Sequence, residues 1–126
     1  MEIDKRFINS YAQHLHNLGA LKLFEEEREH LFADHDLSFE QVDHDYGIML
    51  MIYEIHAVRF QQQIRQGDVV TLHTKIYLPR RAIMSFHQAF LKNQQVAVIG
   101  QIDYSAVNSR GRPEVIPAGL VQTLMS

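Results

Sequence analysis

Apolar residues in the first third of the chain recur at helical spacing, and those after Gly47 alternate as strand residues do. At about 100° of turn per residue, the segment from Leu18 to about Phe32 gathers Leu18, Leu21, Phe24, Leu31 and Phe32 onto one arc. That spacing predicts a helix of about four turns with Asn17 as its N-cap. Before it, Ile3 to Ile8 reads as a short strand and Asn9 to His16 as a loop. Ser38-Phe39-Glu40-Gln41 has the form of a capping box, which predicts a second, short helix from Ser38 to about Asp45 that stops at Gly47.

Strand periodicity follows. Ile48 to Gln62 and Val69 to Leu78 are β-rich, with Gly67-Asp68 as the turn between them. Pro79-Arg80-Arg81 separates the second run from Ala82 to Leu91, and Lys92-Asn93-Gln94-Gln95 reads as a hairpin turn into Val96 to Val107. Asn108 to Pro113 ends that strand, and Ala118 to Met125 forms one or two closing helical turns. The order predicts a single α+β domain over residues 1–126: a long helix packed across a curved antiparallel sheet of about five strands. The run from Ile48 to Ile55 is apolar on both faces, more than one helix can cover, so a second copy of the chain is expected against it.

Composition narrows the partners. The 126 residues suffice for one core, and 12 basic against 15 acidic residues give a net charge of −3, which argues against nucleic acid or an anionic membrane as the main partner. There is no cysteine, so thiolate nucleophiles, disulfides and Cys-ligated metals are excluded. Met1 leads directly into Glu2-Ile3-Asp4-Lys5-Arg6 with no apolar signal core, and the longest apolar run, Gly47 to Tyr53, is too short to span a bilayer. The expectation is a soluble cytoplasmic protein that needs no cofactor. Asp34-His35-Asp36 and Asp43-His44-Asp45 repeat an acid-imidazole-acid triplet but lack the spacing of helical zinc motifs, and read as solvated loop charges rather than a metal site.

Two charges stand out on the helix. Glu25 and Arg28 fall inside its apolar arc, where burial is costly unless they meet each other, other polar groups or a ligand. The plainer alternative is an intrahelical pair at the edge of the stripe.

These residues also carry a resemblance. Gln13-His14-Leu15-His16-Asn17, followed in register by Phe24-Glu25-Glu26-Glu27-Arg28, resembles the Asp-x-x-Gly-His-Val-Asn-Asn and Tyr/Leu-Glu-x-x-Arg segments of the hot-dog-fold acyl-CoA thioesterases of the 4-hydroxybenzoyl-CoA thioesterase-like superfamily. Arg65-Gln66-Gly67-Asp68-Val69 and Gly111-Arg112-Pro113-Glu114-Val115-Ile116-Pro117 resemble the family's Arg-x-Gly-Asp turn and its closing segment. The likeness implies a long central helix wrapped by the sheet, a homodimer or tetramer, and an acyl-CoA or acyl carrier protein as substrate. The chain departs from the pattern where it matters: the family's acid falls at Ser10, its Gly at Gln13, and the first Asn of its pair at His16.

The chemistry available is therefore imidazole, hydroxyl and backbone. Amides at the start of the helix suit a carbonyl oxygen that gains charge during attack on a thioester, and Gly19 and Ala20 are expected to leave that backbone accessible. His14 is the first candidate base and His16 the second, with Asn17 orienting the carbonyl. Ser10 either holds water or caps the loop. Glu54 either supplies the missing carboxylate from across the sheet or dimer, or faces water at a strand edge. Leu18, His16, Gly19, Glu54 and Arg28 are the expected substrate-binding residues; the resemblance implies that Glu25 and Arg28 tie the helix to the loops around the site, with Arg28 in reach of a substrate carbonyl. Arg80, Arg81, Arg110 and Arg112 sit in turns, where they meet phosphates or simply aid solubility. The expected activity is hydrolysis of an acyl thioester; the alternative, favoured by Ser10, is a non-catalytic hot-dog module that binds an acyl group or carrier at a degenerate site. A hydratase is disfavoured by the lack of an Asp-x-x-x-x-His pair at a strand-to-helix junction.

Overall fold

Residues 1–8, 15–56 and 58–126, the Asn17 side chain excepted, are described by the structure, a computed structural model. Among the described residues, three α-helices and five strands follow in the order α1 (Asn17–Ala33), α2 (Phe39–Tyr46), β1 (Met49–Ile55), β2 (Arg59–Phe60), β3 (Thr71–Arg80), β4 (Ile83–Lys92), β5 (Gln95–Val107) and α3 (Ala118–Leu124). The strands form one antiparallel sheet in the order β1-β5-β4-β3, and β2 continues the β1 edge along β5. The expected hot-dog arrangement is present: α1 lies across one face of this curved sheet.

Aromatic packing joins the two layers. Phe24 of α1 meets Phe90 of β4 at a ring separation of 4.7 Å, and Phe32 meets Phe86 at 6.3 Å. Gly100 of β5 lies under the helix, where a Cβ would stand 3.1 Å from the Phe24 ring, so glycine sets how closely α1 approaches the sheet. From α2, Phe39 packs at a tilt against Phe32 at 4.5 Å and stacks on Tyr104 at 5.3 Å, closing the far end of the core.

Local chemistry explains the element ends. Ser38 caps α2 by accepting the Gln41 N–H, and Gly47 ends it at φ 69°. Asn93 and Gln94, at φ 53° and 63°, make the two-residue turn whose twist suits a β4–β5 hairpin. β3 and β4 are separate as expected, but β3 runs past Leu78 through Pro79 to Arg80, because it is an edge strand in which a missing N–H costs no ladder bond; its register shifts between Tyr77 and Arg80.

Three other expectations are corrected. The strand expected from Ile3 to Ile8 is replaced by a 3-10 turn over Lys5–Phe7, because the Asp4 carboxylate captures the Arg6 N–H and draws the chain out of extended form. The N-cap of α1 is His16, one residue before Asn17. The buried face of α1 carries Ala20, Leu23, Phe24, Arg28 and Phe32, while Leu18 is 68 % exposed; the helix is turned by about 50° from the arc that the leucines suggest.

Along β1 the apolar residues stay uncovered. Ile52 and Ile55 pair with Tyr104 and Ile102, whose side chains face α1, and both are about half exposed; Phe60 of β2 continues the same row. Met49, Met51 and Tyr53 are also exposed.

Candidate active site

The amino end of α1 is anchored from both sides. The Leu15 N–H donates to Ile64 O at 2.7 Å and the His16 N–H to Phe7 O at 3.2 Å. His16 has extended backbone, and its Nδ1 accepts the Gly19 N–H at 2.9 Å, so the ring proton sits on Nε2 and is free to donate outward. The Ala20 N–H goes to His16 O. Asn17 and Leu18 are left as the first-turn amides with no intrahelical acceptor, the positive end of the helix dipole.

This end opens on a groove of about 430 Å³ lined by Leu15, His16, Phe60, Ile64 and the glutamines 61–63. Phe60 joins it to the uncovered apolar row of β1 and β2. A polar head of backbone amides and imidazole thus adjoins an apolar surface, the pairing of chemistries that an acyl carbonyl and its chain require.

The expected site residues part company here. His16 lines the groove, and exposed Leu18 follows on the first turn. Ser10 and His14 lie outside the described residues, as does the Asn17 side chain. Gly19 does not expose the backbone as expected: it is buried, and a Cβ there would stand 2.7 Å from Phe7 O. Glycine is needed for close packing, not for access.

Arg28 is 3 % exposed and points into the core, which corrects the expectation that it reaches substrate. Its Nε donates to the Tyr104 hydroxyl at 2.9 Å and its Nη1 to Gln88 Oε1 at 2.8 Å; Gln88 in turn donates to Phe24 O at 3.0 Å. Glu25 turns away and pairs with Lys22 at 2.9 Å. Among the described residues the guanidinium has neutral hydrogen-bond partners only, and it bonds the middle of α1 to β4 and β5. Burial raises the Tyr104 hydroxyl above its ordinary pKa, partly offset by the adjacent Arg28 charge.

Glu54 lies on the other face of the sheet. It pairs in register with Asp103, and with His56 it forms a polar cluster: His56 Nε2 is 3.0 Å from Asp103 Oδ2 and 3.7 Å from Glu54 Oε2. Ser85 donates to Asp103 Oδ1 at 2.5 Å and Gln101 at 3.2 Å. Burial pushes the Asp103 carboxyl up, but the hydrogen bonds from Ser85, His56 and Gln101 outweigh it and hold it below the usual carboxylate range. The hydrogen bond to Asp103 raises His56. Sequence reading missed this cluster.

It also missed Glu27, a half-buried carboxylate on the inner side of α1 that burial raises. Its spacing from Leu23 and Leu31 was the available signal. Eleven residues from His16 place it roughly 16 Å along the helix, too far to act at the same carbonyl.

The chain belongs to the thioesterase-like superfamily, whose profile matches residues 1–124. Its fold is that of the 1,4-dihydroxy-2-naphthoyl-CoA thioesterase from Synechocystis (TM-score 0.85, 11 % identity, 100 % of this chain and 93 % of that one). A gentisyl-coenzyme A thioesterase is also similar (TM-score 0.77, 16 % identity, 100 % and 98 %). So is a Staphylococcus aureus protein solved in complex with CoA (TM-score 0.79, 18 % identity, 99 % and 78 %). No curated protein matches the sequence.

Proposed function

We propose that the protein is a thioester hydrolase acting on an acyl group carried by CoA or an acyl carrier protein. The observation that supports this most is the amino end of α1: first-turn amides without intrahelical acceptors follow His16, which lines a groove that Phe60 joins to the uncovered apolar row of β1 and β2. In this reading the thioester carbonyl oxygen accepts from the Asn17 and Leu18 N–H groups, which stabilise the charge it gains. His14 removes a proton from water as the water oxygen bonds to the carbonyl carbon. The tetrahedral intermediate then collapses, the C–S bond breaks, and the imidazolium returns the proton to the departing thiolate. His14→Ala in the folded protein is expected to lower turnover of an acyl-CoA panel, read with a thiol reporter, at least tenfold. An unchanged rate removes His14 from the mechanism.

The reading includes a homodimer whose subunits meet along the β1 edge, which covers Ile52, Ile55 and Tyr53 and completes the acyl channel. Ile52→Lys places a charge in that contact, and size-exclusion chromatography with light scattering is expected to show a monomer of 14.7 kDa in place of the wild-type dimer. A variant that elutes with the wild type argues against this edge. A cytoplasmic setting fits this substrate, and among the described residues no helix is long and apolar enough to cross a membrane.

Ser10, where the family carries its acid, supports a second reading: a non-catalytic module that binds acyl groups or carriers. The same panel separates the two. Absence of turnover together with saturable acyl-CoA binding selects the module.

A further inference from the structure

The sheet face turned away from α1 carries a groove of about 600 Å³, lined by His56, Arg59, His73, Lys75, His87 and Gln101 among others. The strand registers explain why polar groups gather there. Lys75, His87 and Gln101 are paired across β3, β4 and β5, and Ser85, Asp103 and Glu54 across β4, β5 and β1; the His56 N–H donates to Gln101 O at 2.9 Å and joins the first row. Among the described residues, none of α1 lines this groove, so it is separate from the thioester site proposed above.

We propose that Glu54, His56 and Asp103 form a binding site for a divalent transition ion such as Zn²⁺. Their ligand atoms all lie within 4.8 Å of one another. Ligands at about 2.1 Å from one tetrahedral ion stand roughly 3.4 Å apart, and the two measured separations from His56 Nε2, 3.0 and 3.7 Å, bracket that value. Asp103 is oriented as a metal-binding carboxylate usually is: Ser85 and Gln101 occupy Oδ1 and leave Oδ2 directed at His56. The Asp103 carboxylate is buried and fixed, while the Glu54 side chain is half exposed and can swing to close the set. Two carboxylates neutralise a dication, and His56 lines the roomy groove, which leaves a fourth position open for water or an anionic ligand.

The site differs from the exposed His44–Asp45 pair, which has one carboxylate at 3.0 Å and no buried member. That pair supplies the control. The full-length chain, stripped with chelator, is titrated with Zn²⁺ against a chromophoric competitor. One ion per chain is expected at micromolar affinity or tighter, weakened at least tenfold by His56→Ala and by Asp103→Asn, several-fold by Glu54→Gln, and not by His44→Ala. Zn²⁺ is also expected to raise the melting temperature of the wild type but not of His56→Ala. Glu54→Gln alters an exposed side chain and keeps the test informative if Asp103→Asn fails to fold. No binding by the wild type, or binding that Glu54→Gln and His56→Ala leave intact, overturns the assignment.

Discussion

Arg28→Ala is expected to cost at least about 3 kcal/mol of folding free energy, read by urea denaturation, and to lower the melting temperature by about 10 °C. The substitution leaves the Tyr104 hydroxyl and Gln88 Oε1 facing an apolar interior without their donor. Each orphaned group costs about 1–3 kcal/mol, and the space left by a side chain that is 3 % exposed adds a cavity term. Smaller changes separate the contributions. Tyr104→Phe removes one acceptor from the guanidinium and is expected to cost about 1.5–3 kcal/mol; Glu25→Ala touches only the surface pair with Lys22 and should cost less than about 1 kcal/mol. Equal losses in Arg28→Ala and Glu25→Ala would restore the helix-local pair that the spacing suggests and contradict the network.

That contrast shows what a sequence can and cannot carry. An arginine among leucines and phenylalanines is legible as a buried charge, but its partners Gln88 and Tyr104 lie 60 and 76 residues away. Glu25, three residues away, was the only partner that local spacing offered. The later strands β3 to β5 and α2 were legible because their signals are local: alternation, the Ser38 cap, the Gly47 stop, the Asn93–Gln94 turn; the run expected from Ile48 to Gln62 is instead divided into β1 and β2. The rotation of α1 was not, because Leu18 belongs to the periodic arc and yet sits at an open end of the helix, where a leucine meets solvent or a partner rather than the core. Nor was the cap: histidine is an unusual N-cap, and Asn17 was the better candidate on residue type alone. The Glu54–His56–Asp103 cluster failed to show for a further reason. Strict alternation would put Glu54 on the same face as Ile52; only the register shift between Ile52 and Glu54 turns it to the outer face, level with Asp103, and His56 lies just beyond the end of β1.

Gly19→Ala is expected to lower thioester turnover at least tenfold while changing stability by no more than about 2 kcal/mol. Two opposing effects set the stability. Alanine gains about 1 kcal/mol over glycine inside a helix, whereas a Cβ placed 2.7 Å from Phe7 O and 3.0 Å from Phe7 Cβ costs about 1–3 kcal/mol in overpacking. The nearest atom is main chain and cannot swing aside, so relief comes from displacement of the first turn of α1 away from Phe7. That displacement lengthens the His16 N–H to Phe7 O bond and moves the Asn17 and Leu18 amides away from the position proposed for the thioester carbonyl. Misplacement by about 1 Å costs on the order of a hundredfold in rate when donors must meet a developing charge. Binding of the acyl chain depends on the apolar edge instead, so KM is expected to change less than kcat. An alanine variant that melts higher and turns over at the wild-type rate would mean that Phe7 does not set the position of this helix end, and that the amides there are not the groups that hold the carbonyl.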